Sequence, residues 1–170
     1  MNWKFGDNIN TDLITPGRYN ITTDPMELAQ IAFIEYRPEF KTKVKSGDFI
    51  LAGENFGCGS SRETAVIALK YCGIKAIFAK SFARIFYRNC MNIGFLVVTL
   101  DTDNIGEKDD LKLVIDKKKN LTLINHTQKT SCRLSVPNMM MTLYDTGGII
   151  SYLKKYGLNS LTKLIKGRSL

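Results

Sequence analysis

The residues best suited to chemistry lie in a glycine-rich segment, Asn-Phe-Gly-Cys-Gly-Ser-Ser-Arg-Glu, at positions 55–63. We expect this segment to lead directly into a helix, where free backbone amides attract anions. The glycines let a ligand approach the backbone, and the planar guanidinium of Arg62 suits a carboxylate. The hydroxyl of Ser60 could act as a base in a dry pocket, because amides and a guanidinium that converge on it favour its deprotonated form. These features predict an anion site.

Two other interpretations of the same segment stay open. Ser60 could cap the helix, accepting a hydrogen bond from the amide of Glu63 while the Glu63 side chain reaches back. A phosphate could also occupy such an anion site. A Walker loop is excluded, however, because no Gly-Lys-Ser or Gly-Lys-Thr follows the glycines.

The glycine-rich segment lies within a run of alternating strands and helices. Apolar runs predict the strands, and a glycine ends each of the two helices, as is common at helix C-termini. Strands that alternate with helices pair in parallel through right-handed crossovers. The sequence therefore predicts an α/β fold with a parallel βαβαβ core. The predicted order is strand 48–52, helix 61–72, strand 74–79, helix 81–92 and strand 95–100.

Further elements flank this core. Asp24-Pro25-Met26-Glu27 predicts a helix start, with the aspartate as the N-cap and the proline at the first helical position. Lys117-Lys118-Lys119-Asn120 predicts the turn of an antiparallel hairpin. The flanking elements are a helix from 24 to about 36, hairpin strands 111–116 and 121–125, a helix near 139–144, and a basic amphipathic segment after 147–148.

Length and charge limit the class of protein. The 170 residues predict a single domain over 1–170, with a basic helical tail from about residue 148. The net charge is +8, but residues 151–170 hold five basic residues and no acid, so the body is nearly balanced, which argues against nucleic-acid binding. No apolar run approaches the ~18 residues that a membrane span needs. The N-terminus lacks a secretory signal, so we expect a cytoplasmic protein without membrane contact.

The cysteines and the single histidine argue against a metal site on this chain. Cys58, Cys72, Cys90 and Cys132 form no CxxC pair, and His126 alone cannot supply a multi-histidine site. We expect reduced and mostly buried thiols, as in a cytoplasmic protein. Between its two glycines, Cys58 is expected to be a small apolar filler. No metal ligand is therefore predicted.

Two motifs together resemble the signature of aconitase swivel domains. They are Gly-Glu-Asn-Phe-Gly-Cys-Gly-Ser-Ser-Arg-Glu at 53–63 and Ala-Lys-Ser-Phe-Ala-Arg-Ile at 79–85. The segments 7–12 and 17–24 are similar to the free-standing version of this domain, the small subunits of 3-isopropylmalate dehydratase and of homoaconitase-like enzymes. The resemblance covers residue 1 to about residue 155. It implies a swivelling β/β/α fold of the aconitase type, with a mixed sheet around the parallel core.

The resemblance also implies a partner and a cofactor outside this chain. A separate large subunit would carry a [4Fe-4S] cluster, and this chain would bind no cofactor itself. The pair would be a hydro-lyase that isomerises an alkyl malate by dehydration and rehydration, as in leucine biosynthesis. The alternative from a different class is a non-enzymatic anion- or RNA-binding module, against which the nearly balanced charge of the body argues.

Residue roles follow from the resemblance, position by position. The first serine of the Gly-Ser-Ser-Arg motif acts as the catalytic base in this superfamily, which implies that role for Ser60. The resemblance places Ser61 and Arg62 at the substrate carboxylate. Asp12 falls where aconitases carry Thr-Thr-Asp near the site, and it is a weaker candidate.

A second segment bears on the choice of substrate. Homoaconitase-type relatives carry Tyr-Leu-Arg-Thr-Thr-Asp where this chain has Tyr-Asn-Ile-Thr-Thr-Asp at 19–24. Ile21 cannot pair with a carboxylate as that arginine does, but it can pack an alkyl group, which stabilises binding by roughly 0.8 kcal/mol per buried CH₂. We therefore expect Ile21, Thr22 and Thr23 to bind a malate with an apolar substituent, isopropylmalate first.

The substrate prediction has alternatives. Citramalate or dimethylmalate would also fit an apolar surface, and a homoaconitate-type acid remains a further candidate. Ile21 could instead pack against the following helix as a hydrophobic staple, without contacting any substrate. Asn20 stands where a leucine is usual, which leaves the choice among alkyl malates open.

Overall fold

The first layer of the fold is a parallel sheet, seen in a computed structural model that describes residues 1–165. Its strands are β1 (Asn2–Lys4), β2 (Phe49–Ala52), β3 (Ala76–Ala79) and β4 (Val97–Thr99), which lie side by side in that order and pair in parallel. β2 and β3 are buried at every position, as expected for uninterrupted apolar strands in a parallel sheet. The predicted parallel core is confirmed, and β1 extends it by one strand that we did not predict.

Helices connect the strands of the sheet and share its hydrophobic core. Within residues 1–165 they are α1 (Thr11–Ile14), α2 (Pro25–Gln30), α3 (Phe40–Lys43), α4 (Glu63–Tyr71), α5 (Arg84–Asn92), α6 (Asn138–Thr146), α7 (Ile149–Tyr156) and α8 (Leu161–Ile165). As predicted, α4 leads from β2 to β3, and α5 leads from β3 to β4. Both helices begin a few residues later than expected. α2 packs against α4, which brings the first part of the chain to the start of that crossover.

The helix that we predicted over residues 24–36 ends early, at Gln30. Its predicted start is confirmed, because the carboxylate of Asp24 accepts hydrogen bonds from two amides of the first turn. Phe33 then adopts a φ of +55°, which a right-handed helix cannot include. Its buried ring stacks on the ring of Phe5, with the centroids 4.4 Å apart. The prediction is wrong beyond Gln30 because burying this ring outweighs local helix propensity.

A buried carboxylate ties the first strand to the second. Asp48, directly before β2, accepts hydrogen bonds from the indole of Trp3 and the amide of Lys45, each at 3.0 Å. It also pairs with the amino group of Met1 at 2.8 Å. Burial alone would raise the pKa of Asp48, but these three donors hold its pKa below the usual carboxyl value. The β1–β2 pair therefore depends on an ionised side chain at its edge.

The second sheet is antiparallel and separate from the first. Its strands are β5 (Leu111–Ile115), β6 (Leu121–Asn125) and β7 (Thr130–Leu134), in that order. β5 and β6 form the predicted hairpin. β7 was not predicted, because its first four residues are exposed and carry no apolar alternation. The parallel and antiparallel strands thus occupy two sheets, where the resemblance implied one mixed sheet.

Helices α6 to α8 follow the second sheet and include the predicted basic segment. α6 ends at Thr146 and is followed by Gly147, whose left-handed φ of +80° suits glycine. Lys154 and Lys155 of α7 are exposed, as expected for the solvent-facing side of that segment. Three other basic residues of the predicted tail lie outside the description: Lys166 and Arg168, and the side chain of Lys163. In the part of the chain that the structure describes, no helix combines the length and the apolar character needed to cross a membrane.

Candidate active site

The glycine-rich segment leaves the sheet at the carboxyl end of β2, the edge at which ligands bind in open α/β sheets. The chain that follows β1 runs beside it. The amide of Gly57 donates to the carbonyl of Ile9 at 2.7 Å, and the amide of Thr11 donates to the carbonyl of Cys58 at 2.9 Å. These bonds hold Thr11 and its neighbours next to the predicted catalytic turn.

Two glycines in this segment are required by its shape. Gly57 and Gly59 have φ values of +79° and +89°, left-handed conformations that other residues rarely adopt. A Cβ at Gly57 would also lie 2.1 Å from the ring of Phe86 on α5. A Cβ at Gly59 would meet nothing closer than 3.5 Å, so only the backbone angle demands glycine there. The turn therefore depends on glycine at both positions.

Ser60 is anchored through its backbone and does not cap the helix. Its amide donates to the hydroxyl oxygen of the buried Thr11 at 3.1 Å. α4 begins only at Glu63, with Arg62 as an extended N-cap residue and no side-chain cap, so the capping-box interpretation is wrong. Among the described residues, the first amides of α4 have no side-chain partner and the Ser60 hydroxyl makes no hydrogen bond. Both can therefore meet a ligand.

Arg62 is held in place by an ion pair with Asp12. The Nη1 atom also lies 3.5 Å from the carbonyl oxygen of Thr15, and Nη2 lies against Gly17, where a Cβ would come within 3.4 Å. Asp12 is itself positioned by α1, whose N-cap residue Asn10 accepts a hydrogen bond from a helix amide at 2.8 Å. A guanidinium carries five N–H donors. A substrate carboxylate could therefore bind Arg62 beside Asp12.

The predicted substrate-binding loop projects away from the core. Ile21 is 90% exposed, so the interpretation in which it packs as a staple against the next helix is wrong. Thr22 accepts a hydrogen bond from the amide of Asp24 at 3.1 Å, which shapes the loop from within. Thr23 is exposed. The loop is therefore open to contact by a ligand or a second protein.

The predicted site residues form two groups. One consists of the turn at residues 60–62 together with Asp12, and the other is the loop at residues 21–23. Within the described residues, no hydrogen bond or ion pair joins the two groups directly. They are linked through Asn20, whose side-chain amide donates to the hydroxyl of Thr64 on α4 at 3.0 Å.

Some residues that shape the site were not singled out from the sequence. Thr11 anchors the amide of Ser60, and its position inside the Asn-Thr-Asp motif was a usable signal. Asn89 on α5 donates to the carbonyl of Ser61 at 3.2 Å, and nothing in the sequence marks it. Asn20 differs from the leucine that is usual at its position, but that difference does not indicate its contact with Thr64. Each of these roles depends on a contact between distant segments.

Among the described residues, the side chains that could ligate an iron–sulfur cluster lie apart from one another. Within residues 1–165, no three His, Cys, Asp or Glu side chains come together as a metal site requires. Burial raises the pKa of Cys72 to about 12 and also raises the pKa of Cys90, which disfavours the thiolate that a metal binds. All four thiols are free, but only Cys90 is fully buried and Cys132 is exposed. The expectation of mostly buried thiols is therefore wrong.

Comparison with known proteins gives matches over nearly the whole chain. A family model described as the aconitase C-terminal domain matches residues 6–103, a range that includes every predicted site residue. The methanogen homoaconitase small subunit of Methanocaldococcus jannaschii is 47% identical over 163 residues, which are 96% of this chain and 95% of that protein. The 3-isopropylmalate dehydratase small subunit of Nautilia profundicola is 49% identical over 156 residues, 90% of this chain and 92% of that protein.

A solved structure is similar over the same extent. The crystal structure described as 3-isopropylmalate dehydratase from Methanocaldococcus jannaschii matches with a TM-score of 0.85 at 47% identity. The match covers 95% of this chain and 96% of that chain. The similarity thus extends over both sheets, and it confirms the predicted fold class.

Proposed function

This chain belongs to the aconitase C-terminal domain family, and we propose that it is the small subunit of a hydro-lyase that interconverts 2-isopropylmalate and 3-isopropylmalate. Relatives that match nearly end to end are small subunits of 3-isopropylmalate dehydratase and homoaconitase, which supports the enzymatic interpretation over an RNA-binding module. The observation that carries the proposal is the turn at residues 60–62. There, a serine and an arginine held by Asp12 stand two residues apart, in the segment that leads from a parallel strand into α4.

The reaction removes water from one alkyl malate and returns it with the hydroxyl on the neighbouring carbon. In dehydration, a proton leaves one carbon and the hydroxyl leaves the adjacent carbon, which gives an alkene diacid. Ser60 Oγ would take up that proton as the base and return one during hydration. The cationic Arg62 and the amides at the start of α4 would favour the alkoxide form of Ser60.

Arg62 and Ser61 would bind a carboxylate of the same substrate. Asp12 and the carbonyl of Thr15 both contact Nη1 of the guanidinium, and the remaining N–H groups would donate to the substrate. The Ser61 carbonyl is held by Asn89, so α5 also fixes this part of the turn. The turn would thus place a carboxylate beside the base before the proton is moved.

The site is open on its outer side, and we propose that a separate large subunit closes it. The relatives named above are small subunits, which supports a partner chain. A [4Fe-4S] cluster on that subunit, when bound, supplies a Lewis acid for the substrate hydroxyl. The exposed face of α5, with Arg84, Ile85 and Arg88, adjoins the turn and would contribute to the contact with the partner.

The side chain at position 21 supports an alkyl malate as the substrate. Ile21 is exposed on the loop that Asn20 joins to α4, and it carries no charge, so it would pack an alkyl group and would leave a third carboxylate unpaired. A homoaconitate-type tricarboxylate is the second candidate, because a relative at 47% identity is a homoaconitase small subunit. Citramalate and dimethylmalate would fit the same apolar surface.

Reconstitution with the large subunit tests the proposal. This chain is purified with the large subunit from its own genome under anaerobic conditions. Formation of the alkene diacid is then followed with isopropylmalate, citramalate and a homoaconitate-type acid. We expect the pair to convert alkyl malates, and each subunit alone to be inactive. The chain alone should hold neither iron nor sulfide. Stoichiometric iron and sulfide on this chain, or a pair that converts none of these acids, would contradict the proposal.

A further inference from the structure

The side-chain amide of Asn20 joins the loop that carries Ile21 to helix α4. Its Nδ2 atom donates to Oγ1 of Thr64 at 3.0 Å. Asn20 also ends a 3-10 turn over Gly17–Tyr19, because its backbone amide donates to the first carbonyl of that turn at 3.1 Å. The side-chain bond is therefore the point at which the loop, after leaving this turn, meets the helix.

The other end of the same amide has no partner. Oδ1 of Asn20 is buried, and within residues 1–165 it is the one buried side-chain nitrogen or oxygen atom without a hydrogen bond. A buried acceptor without a donor is destabilising, and a leucine of similar size would avoid this cost. Any stabilisation that asparagine provides at this position therefore comes from its bond to Thr64 and not from its burial.

Asn20 and Thr64 each lie beside a proposed substrate contact. Ile21 follows Asn20 directly, and Thr64 is the second residue after Arg62. Earlier in the same segment, the carbonyl of Thr15 lies 3.5 Å from the guanidinium of Arg62. Two hydrogen bonds thus attach residues 15–20 to the start of α4, and the Asn20–Thr64 bond is the nearer of the two to Ile21 along the chain.

We propose that Asn20 and Thr64 are positioning residues that set the size of the alkyl group accepted by the site. This inference rests on the proposed function, in which Arg62 binds a carboxylate and Ile21 packs the alkyl group of one substrate. The distance between the guanidinium of Arg62 and the side chain of Ile21 must then match the distance between the carboxylate and the alkyl group of the substrate. A bond that fixes the loop against α4 fixes this separation, so it favours one alkyl size over others.

Two substitutions remove the bond with little change in size. Thr64→Val replaces the hydroxyl with a methyl group, and Asn20→Leu replaces the amide and also removes the unpartnered oxygen. Thr64→Ser is the matched control, because it keeps the hydroxyl. The double variant, with both Asn20→Leu and Thr64→Val, tests whether the two side chains act through one bond, since the effects of direct partners are not additive.

Selectivity in the complex with the large subunit is the first readout. We expect Thr64→Val and Asn20→Leu to lower the kcat/KM ratio of isopropylmalate to citramalate by about three- to tenfold, mainly through a higher KM for isopropylmalate. The kcat for citramalate stays close to that of the unmodified pair, because the turn at 60–62 is unchanged. The double variant should resemble either single variant, and Thr64→Ser should keep the original ratio.

Hydrogen exchange of this chain alone is the second readout, and it does not depend on activity. The hydrogen-bonded amides of Asn20 and Asp24 should exchange faster in Thr64→Val and Asn20→Leu than in the unmodified chain and in Thr64→Ser. The inference is overturned by equal exchange in all four proteins, by additive effects in the double variant, or by an unchanged ratio in an active pair. If the unmodified pair converts no alkyl malate, the proposed function fails and the selectivity role fails with it. The exchange rates still decide whether the bond holds the loop.

Discussion

The carboxylate of Asp12 pairs with the guanidinium of Arg62, although the two residues are 50 positions apart in the sequence. The side chain of Asp12 is 59% exposed and that of Arg62 is 31% exposed. Solvent-exposed ion pairs contribute only about 0–1 kcal/mol to folding stability. This pair therefore matters chiefly because it orients the arginine. Mutation can separate its effect on substrate binding from its effect on folding stability.

Substitution of Asp12 with asparagine is expected to weaken substrate binding without unfolding the protein. In the complex, Asp12→Asn should raise KM by about tenfold, because Arg62 is no longer held beside the turn, while the free energy of unfolding changes by less than about 1 kcal/mol. Steady-state kinetics and urea unfolding measure the two quantities. Asp145→Asn removes an exposed ion pair with Lys119 and should leave KM unchanged. Equal KM values for the two variants would contradict the role of Asp12.

Substitution of Ser60 with alanine tests the proposed base directly. Ser60→Ala should lower kcat of the complex by at least ~10²-fold, the range typical for loss of a general base. Its effect on folding should be small, since the amide that Thr11 holds is unchanged. Ser135→Ala, at an exposed position after β7, is the control and should keep full activity. A near-normal kcat in Ser60→Ala would remove this serine from the mechanism.

Substitution of Ile21 with arginine should shift the substrate preference towards acids that carry a third carboxylate. Ile21 is exposed and packs against no core residue, so Ile21→Arg should fold normally. We expect kcat/KM for isopropylmalate to fall by about tenfold and kcat/KM for a homoaconitate-type acid to rise, because the guanidinium pairs with a carboxylate. A substrate panel on the reconstituted pair measures both changes. An unchanged panel would show that position 21 does not face the substrate.

The lowered pKa of Asp48 predicts a loss of stability in acid. A carboxyl whose pKa is lower in the folded state contributes stability that is fully present above its unfolded pKa, about 4, and is lost as the pH falls through the folded value. Asp48→Asn should therefore be less stable than the unmodified chain at pH 7, and this difference should shrink below about pH 4. Urea unfolding at a series of pH values measures it. A difference that stays constant across the series would exclude this linkage.

Three of the four cysteines should differ in reactivity. Iodoacetamide reacts with the thiolate, so the exposed Cys132 should be alkylated first under native conditions. Cys90 is buried, and the pKa of Cys72 is raised to about 12 by burial, so these two should react only after urea is added. Mass spectrometry of peptides after timed labelling identifies each site. Rapid native labelling of Cys72 would show that its surroundings are more open than described.

The order of strands and helices could be predicted because it depends on local patterns. The apolar runs of β2 and β3, the glycines after α4 and α5, and the Asp24 cap are each visible within a few residues. Predictions failed where a distant contact decides the outcome. Phe33 leaves the helical conformation to stack on Phe5, and β7 is specified by pairing with β6 rather than by its own alternation.

The candidate site could be located from the sequence, but its internal connections could not. The glycines and Arg62 predict an anion site at the turn at 60–62, whereas Asp12 is implied only by the resemblance to aconitase swivel domains. In a capping box, the backbone amide of Ser60 would donate to the side chain of Glu63. It donates instead to the hydroxyl oxygen of Thr11, 49 positions earlier in the sequence. The bond between Asn20 and Thr64 spans 44 positions. No local pattern encodes such pairs, because each depends on how the whole chain folds.

The contact between Gly57 and Phe86 has a consequence for how this turn can vary. A side chain at position 57 needs space that the ring and the Cβ of Phe86 both fill, so even alanine at 86 would leave a Cβ 2.5 Å away. The left-handed φ of +79° would still penalise the new side chain. The contact with Phe86 and the backbone angle therefore both disfavour a side chain at position 57, and no single substitution removes both. Position 57 thus requires glycine partly because of helix α5, which begins more than twenty residues later in the sequence.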